Sequence, residues 1–241
     1  MANVSSRGRK ILAALIGEAP LGQELDRLAA RYYGSHPYRK PMIYMSEYDR
    51  WFRDIRHLPL RVLELGVHLG FSMHIWRDYF PKATIVGLDL DPKPAGFPND
   101  PRVHFVQGSQ DDLRVLEQAQ RVAGGVFDII IDDASHQGCA TGRSFAMLFP
   151  DMLKPGGIYV IEDICSSFEP QHNFDATSYA APDVGLPGPQ TVFPSCQHGM
   201  VGVVKQLIDH AMAPTAAGAY TALPIERMAI KTNIAFLQKS R

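Results

Sequence analysis

The chain of 241 residues has few cysteines, almost no net charge and no long apolar run, and each of these absences excludes a class of protein. Cys139, Cys165 and Cys196 form no CxxC pair and are odd in number, which argues against a disulfide framework or a zinc site and favours a reducing cytoplasm. A net charge of −1 provides no basic surplus for binding nucleic acid or an anionic membrane. No segment approaches the roughly 20 apolar residues that span a bilayer.

The N-terminus also lacks the features of a secretory signal. Basic residues at positions 7, 9 and 10 precede an apolar run at 11–16, but this run is short and has no clear cleavage site. We therefore expect a cytoplasmic protein. What the chain does have is 46% apolar residues, enough for a large core, and a length that suits one domain with a modest lid.

Short apolar runs alternate with helical patterns in the middle of the chain, which predicts βαβ units and a parallel sheet with helices on both faces. Strands are predicted at 61–65, 84–89, 103–107, 127–132 and 158–161, and a C-terminal β-hairpin at 226–230 and 234–237. Helices are predicted at 72–80 and at 200–212. Another is predicted to start near Ser109, which with Asp112 resembles a capping box. A fourth carries apolar residues at helical spacing through Phe145–Met152 and ends before Lys154-Pro155-Gly156-Gly157.

Two segments flank or interrupt this pattern. Residues 1–58 are predicted to form a helical and loop cover, with a helix at 21–33 and a tyrosine-rich loop around 32–44 that is not part of the core. Residues 59–241 form the main domain, and the aperiodic, proline-rich segment at 166–199 is predicted to be a lid inserted into it.

The first motif is LELGVHLGFS at 63–72, directly after a predicted strand. Gly66 and Gly70 allow a tight turn, and the helix that begins near Ser72 offers free N–H groups to an anion such as the carboxylate of a methionine moiety. The GxxxG spacing disfavours the GxGxxG dinucleotide motif. His68 either lines such a pocket or packs, and a tight turn without a ligand is the alternative for the whole motif.

Two further segments follow strands that are predicted to lie beside the first. Asp89 ends the second strand, where an acidic residue binds ribose hydroxyls in nucleotide-binding α/β folds, whereas Asp91 either shares this role or starts a turn with Pro92. Gln107-Gly108-Ser109-Gln110-Asp111 either borders an adenine ring or only caps the next helix.

The sharpest motif is IIIDDASH at 129–136, which is matched by YVIED at 159–163. If the two strands are neighbours they lie about 4.8 Å apart, so Asp133 and Asp163 could share one cation. Oxygen ligands favour Mg²⁺. His136 follows in the turn, where it serves either as a base for a hydroxyl proton or as a structural residue. Helix capping is the alternative for the carboxylates.

These motifs resemble class I methyltransferases, and more narrowly the metal-dependent sugar O-methyltransferases of antibiotic biosynthesis of the macrocin and mycinamicin type. The resemblance covers roughly residues 28–168 and rests on LELGVHLGFS, WRDYFP, FDIIIDDASH and LFPDMLKPGGIYVIED. It implies a doubly wound, Rossmann-like α/β sheet of seven strands in the order 3-2-1-4-5-7-6 and S-adenosylmethionine as cofactor.

The resemblance also implies roles for individual residues. Mg²⁺ is held by Asp133 and Asp163 with Glu64 or Glu162 as a third ligand, and His136 is the base. Glu64 alternatively binds the amino group of the cofactor. The cofactor-binding candidates are Glu64, Gly66, His68, Gly70, Ser72, Asp89, Ser109, Gln110, Asp111 and Asp132.

The chain departs from that family in two places, which leaves other functions open. Such enzymes often carry a long N-terminal domain, and the proline-rich segment has no counterpart. We expect a small hydroxylated acceptor such as a sugar or a glycosylated natural product. The alternatives are a metal-independent N- or O-methyltransferase and a non-catalytic cofactor-binding protein, while an oxidative metal enzyme is disfavoured by the absence of a clear two-histidine, one-carboxylate pattern. Homo-oligomer formation stays open.

Overall fold

The structure is a computed structural model that describes residues 22–37, 39–168, 199–212 and 223–241. Residues 1–21, Tyr38 and most of the predicted lid, at 169–198, lie outside these ranges, as does Cys196. Within the described ranges no helix is both long enough and apolar enough to cross a membrane.

Seven strands form one mixed sheet in the order β3-β2-β1-β4-β5-β7-β6, which confirms the predicted order. The strands β1 to β5 are parallel, and β7 runs antiparallel to both β5 and β6. Their bounds are Arg61–Leu65 (β1), Thr84–Asp89 (β2), Val103–Gln107 (β3), Phe127–Asp132 (β4), Leu153–Ile161 (β5), Ile225–Lys231 (β6) and Ile234–Lys239 (β7).

In the described ranges, six α-helices accompany the sheet. They are Gln23–Tyr33 (α1), Met42–Phe52 (α2), Phe71–Tyr79 (α3), Leu113–Ala123 (α4), Gly138–Asp151 (α5) and Gly199–Met212 (α6), and a 3₁₀ helix spans Ile164–Phe168. Helices α1 to α3 pack on one face of the sheet and α4 to α6 on the other. Neighbouring strand residues such as Val62 and Leu63 enter opposite apolar layers, so both faces are buried and the fold is doubly wound.

Two local predictions were wrong at the ends of elements. The cap of α4 is Asp112, whose carboxylate accepts the Arg114 N–H at 2.9 Å, whereas the hydroxyl of Ser109 donates to Asp111. Helix α5 ends before Lys154-Pro155-Gly156-Gly157, as predicted, but β5 already begins at Leu153 and includes these four residues, whereas the strand was predicted to begin at residue 158. The register between β4 and β5 shifts near Phe127 and Gly156 adopts a left-handed φ of 77°, so an irregular strand start accommodates the proline and glycines.

The tyrosine-rich stretch was also predicted wrongly, because it contributes to the core. Tyr44, Met45, Tyr48 and Phe52 of α2 are at most 1% exposed and follow a helical spacing. The ring of Tyr48 packs edge-on against both Trp76 and Phe236. These tyrosines can be buried because their hydroxyls donate hydrogen bonds to carboxylates from another part of the chain.

Candidate active site

A cleft of about 810 Å³ lies at the carboxyl ends of the central parallel strands. This is where open α/β sheets bind their ligands. Most of the predicted site residues line it: Gly66, His68, Ser72, Asp89, Ser109, Gln110, Asp111, Asp133, His136, Glu162 and Asp163. The remaining three, Glu64, Gly70 and Asp132, are buried behind the wall of the cleft.

The glycine turn brings the first motif against the end of β4. Gly66 has φ 85°, and a Cβ atom there would lie 2.1 Å from the carbonyl oxygen of Asp133, so only glycine permits this approach. Gly70, with φ 84°, precedes α3, which receives no side-chain cap. The first N–H groups of α3 are therefore not occupied by a capping side chain and can donate hydrogen bonds to an anion in the cleft.

Asp89 has a structural task in addition to facing the cleft. Its Oδ2 accepts the N–H groups of Val67 at 2.7 Å and His68 at 2.8 Å, and its Oδ1 accepts the N–H of Asp91 at 3.0 Å. The carboxylate therefore fixes the glycine turn from the neighbouring strand. Asp91 lies at a bend after β2 and lines the cleft.

The segment after β3 is held by side-chain contacts. Asp111 accepts the Ser109 hydroxyl at 2.6 Å and the Arg143 Nε–H at 2.9 Å, and both contacts lower its pKa against the effect of burial. Gln110 accepts the Ser135 N–H at 3.0 Å and donates to Asp132 at 3.1 Å. This segment lines the cleft and does not cap α4. Arg143 was not among the predicted residues.

Asp132 supports the site from behind. It is 1% exposed, and the hydroxyls of Ser144 and Tyr159 each donate to its Oδ2 at 3.3 Å. Burial raises the pKa of Asp132 to about 6. The structure therefore assigns Asp132 to holding Gln110 and not to the surface of the cleft.

Asp133, His136 and Asp163 meet at the edge between β4 and β5. One potential ligand atom from each lies within 4.8 Å of the others, and His136 Nε2 is 3.8 Å from Asp163 Oδ2. The strands are direct neighbours, with Asp132 paired to Ile161, as the sequence predicted. His136 and Asp163 have left-handed φ values of 54° and 52°, which costs a non-glycine residue about 1–2 kcal/mol and is common at functional sites.

The other two carboxylates with proposed metal roles, together with Asp133, surround a lysine. Lys40 Nζ lies 2.7 Å from Glu162 Oε1, 2.5 Å from Asp133 Oδ2 and 3.5 Å from Glu64 Oε1, and its side chain is 6% exposed. Tyr48 also donates to Glu162. Neither glutamate belongs to the group of Asp133, His136 and Asp163, so the geometry groups these three without a third carboxylate.

Electrostatics explain how this lysine is kept charged. Burial alone would lower the pKa of Lys40, but the three carboxylates outweigh burial and hold its pKa well above the ordinary value. Burial raises the pKa of Glu64 and of Glu162, while Lys40 opposes both shifts. Lys40 was not among the predicted site residues.

Several known proteins are similar to most of this chain. No family model matches. Among curated relatives, mycinamicin VI 2''-O-methyltransferase of Micromonospora griseorubida is 33% identical over an alignment 242 residues long, which covers 95% of this chain and 56% of the relative. A Streptomyces olivaceus enzyme, 8-demethyl-8-(2-methoxy-alpha-L-rhamnosyl)-tetracenomycin-C 3'-O-methyltransferase, is 35% identical over 90% of this chain and 54% of its own length. The chain thus spans about half the length of these relatives.

Solved structures give a consistent result. The methyltransferase MycE of the mycinamycin pathway, in complex with Mg, S-adenosylhomocysteine (SAH) and mycinamycin VI, superposes with a TM-score of 0.72 and 31% identity over 98% of this chain and 58% of its own. The SAH-bound methyltransferase PaMTH1 of Podospora anserina has a TM-score of 0.58 and 15% identity over 99% of its chain, and this likeness concerns the fold alone.

Proposed function

Since the chain has the class I methyltransferase fold and resembles sugar O-methyltransferases of antibiotic biosynthesis over most of its length, we propose that it is an S-adenosylmethionine-dependent O-methyltransferase. Its acceptor is a hydroxyl group of a small molecule, such as the sugar of a glycosylated natural product, and it requires Mg²⁺. The observation that carries this proposal is the group of Asp133, His136 and Asp163, which lies in the same cleft as the glycine turn.

The residues around the glycine turn suit the cofactor. The uncapped start of α3 suits a carboxylate, and Asp89 lines the cleft one strand away, where a ribose would lie. Glu64 Oε1 is buried and accepts no hydrogen bond from the described residues, so it is suited to the amino group of a methionine moiety. S-adenosylmethionine supplies the methyl group on a sulfonium, which is already a strong electrophile.

The edge of the sheet where Asp133, His136 and Asp163 meet, called the acidic edge below, suits a hard divalent cation. Asp133 and Asp163 offer carboxylate oxygens, the ligand type that Mg²⁺ prefers, while His136 beside them is better suited to proton transfer than to binding this ion. When bound there, Mg²⁺ supplies a Lewis acid that lowers the pKa of a coordinated hydroxyl. Glu64 and Glu162 contact the same Lys40 as Asp133 does, so both stay candidates for the third carboxylate ligand.

His136 is the proposed base. It lines the cleft beside Asp133 and Asp163, where it can take the proton of the acceptor hydroxyl, after which the oxygen attacks the methyl group in line. The protein contributes mainly by orienting the two reactants and excluding water. In this proposal residues 59–241 form the cofactor-binding domain, the described part of 1–58 packs on its sheet, and most of the predicted lid at 166–199 lies outside the described residues.

The test is methyl transfer to acceptors that carry deoxysugars, followed by mass spectrometry of the acceptor and of S-adenosylhomocysteine. We expect a methylated product with Mg²⁺, no product after chelation and recovery when Mg²⁺ is restored. Asp133→Asn should remove activity. Asp128→Asn is the matched control, because Asp128 lies at the opposite end of the same strand and pairs with Lys154.

Two outcomes would count against this function. Activity that persists in the presence of a chelator would favour a metal-independent methyltransferase. Tight binding of the cofactor without turnover on any acceptor in the panel would favour a non-catalytic cofactor-binding protein.

A further inference from the structure

Among the described residues, hydrogen bonds from two side chains reach one of the two carboxylate oxygens of Asp163. Its Oδ1 accepts the Tyr44 hydroxyl at 2.8 Å and the Asn233 Nδ2–H at 3.3 Å. Its Oδ2 faces His136 Nε2 at 3.8 Å. The two oxygens of Asp163 therefore have different tasks, since one receives hydrogen bonds from the protein and the other points toward the acidic edge.

The two donors come from distant parts of the chain. Tyr44 is on α2, 119 positions from Asp163, and Asn233 lies in the turn between β6 and β7, 70 positions away. Neither side chain lines the cleft. They reach Asp163 from behind, so they can act on the site only through it.

Asn233 is itself held by hydrogen bonds with the backbone of the 3₁₀ helix that follows β5. It has a left-handed φ of 68°, which asparagine tolerates better than most residues. Its Oδ1 accepts the Cys165 N–H, and its carbonyl accepts the Ile164 N–H at 3.2 Å and lies 3.0 Å from the Tyr44 hydroxyl. Tyr44, Asn233 and Asp163 thus form a closed set of contacts around the chain that leaves β5.

A carboxylate at the end of a strand can rotate about two side-chain bonds, and the side chain of Asp163 is 39% exposed. Two donors on one oxygen remove this freedom and set the plane of the group. Supporting residues of this kind commonly determine the affinity and geometry of a metal site. Burial, followed by the charge of Asp163, raises the pKa of Tyr44, so its hydroxyl stays a hydrogen-bond donor at neutral pH.

We propose that Tyr44 and Asn233 are positioning residues that orient Asp163 so that its Oδ2 faces the cation site. This inference rests on the proposed function, because it requires that Asp163 binds a divalent cation. It goes further in assigning a role at the site to the N-terminal helix α2 and to the C-terminal hairpin.

The test is a titration of Mn²⁺, followed by electron paramagnetic resonance, into the full chain saturated with S-adenosylmethionine. Tyr44→Phe keeps the buried ring and removes only the hydroxyl, and Asn233→Gly keeps the left-handed backbone and removes the amide. We expect each variant to raise the Mn²⁺ Kd about 10–100-fold. The double variant should show less than the product of the two effects, because both act through one carboxylate.

Tyr79→Phe is the matched control. Tyr79 is also fully buried, and its hydroxyl donates to a different carboxylate, Asp49 Oδ1, at 2.6 Å. It should keep the wild-type Kd even if it loses as much thermal stability as Tyr44→Phe. A wild-type Kd in Tyr44→Phe would reduce Tyr44 to a structural residue and overturn the inference. Absence of Mn²⁺ binding in the wild-type protein would overturn the proposed metal site and this inference together.

Discussion

Replacing Lys40 with Met lowers the free energy of unfolding by about 3–5 kcal/mol, the range for breaking a buried ion pair by removing one partner. The reason is that Glu64 and Glu162, which are 0% and 1% exposed, lose their cation and stay buried. Methionine has a similar length and is apolar, so the loss of packing is small. Urea denaturation at pH 7 measures the effect.

The pH dependence gives this prediction a sign. Without Lys40 the pKa values of Glu64 and Glu162 rise further in the folded state, while in the unfolded state they stay at 4.5. At a pH between 4.5 and the raised values, the folded protein therefore binds more protons than the unfolded protein. The variant should therefore lose stability as the pH rises through this window. Its deficit relative to the wild type should be larger at pH 8 than at pH 5.

Lys154→Met provides the control. Lys154 also pairs with an aspartate, Asp128, at 2.9 Å, but its side chain is 57% exposed. Pairs of this kind contribute about 0–1 kcal/mol. If Lys40→Met costs no more than Lys154→Met, the lysine does not balance the buried carboxylates and this description of the site is wrong.

Replacing His136 with Asn should lower kcat about 10²–10⁴-fold, which is the usual contribution of a positioned general base. Asparagine also tolerates the left-handed backbone that His136 adopts, so the fold should persist. Steady-state kinetics with saturating Mg²⁺ and S-adenosylmethionine measure the effect, and the affinity for the cofactor should change little.

A second measurement separates a base from a metal ligand, because His136 lies within reach of the same cation as Asp133 and Asp163. The Mn²⁺ affinity of His136→Asn should stay near the wild-type value. An affinity that falls in step with kcat would make His136 a ligand instead of a base. His104→Ala, on β3 and away from the cleft, should keep both parameters.

The parallel strands could be predicted from the sequence because each is a short apolar run that is buried on both faces. The bounds of β1 to β4 matched the prediction at both ends. The start of β5 could not be predicted, because Pro155, Gly156 and Gly157 usually mark a turn and only the irregular pairing with β4 makes them a strand. Helix α2 was missed because its tyrosines look like surface residues until carboxylate partners are known.

The site likewise contains residues that could be predicted from the sequence and residues that could not. Asp133, His136 and Asp163 follow directly from two strand ends, so local sequence patterns and the rule that strand ends share one edge suffice to find them. The side chains of Lys40, Tyr44, Asn233 and Arg143 contact carboxylates 24 to 122 positions away. Nothing in the neighbouring sequence specifies such pairings. Glu162 stays a predicted ligand, and the local pattern could not show that Lys40 contacts both Glu162 and Asp133.

The most direct test of metal-assisted methyl transfer is a calorimetric titration of S-adenosylmethionine and then Mg²⁺ into the full chain, with Asp133→Asn in parallel. We predict that both proteins bind the cofactor and that only the wild type then gives a heat of Mg²⁺ binding, because Asp133 supplies a ligand oxygen. If the wild type does not bind S-adenosylmethionine, or if Asp133→Asn binds Mg²⁺ as the wild type does, the result contradicts this account.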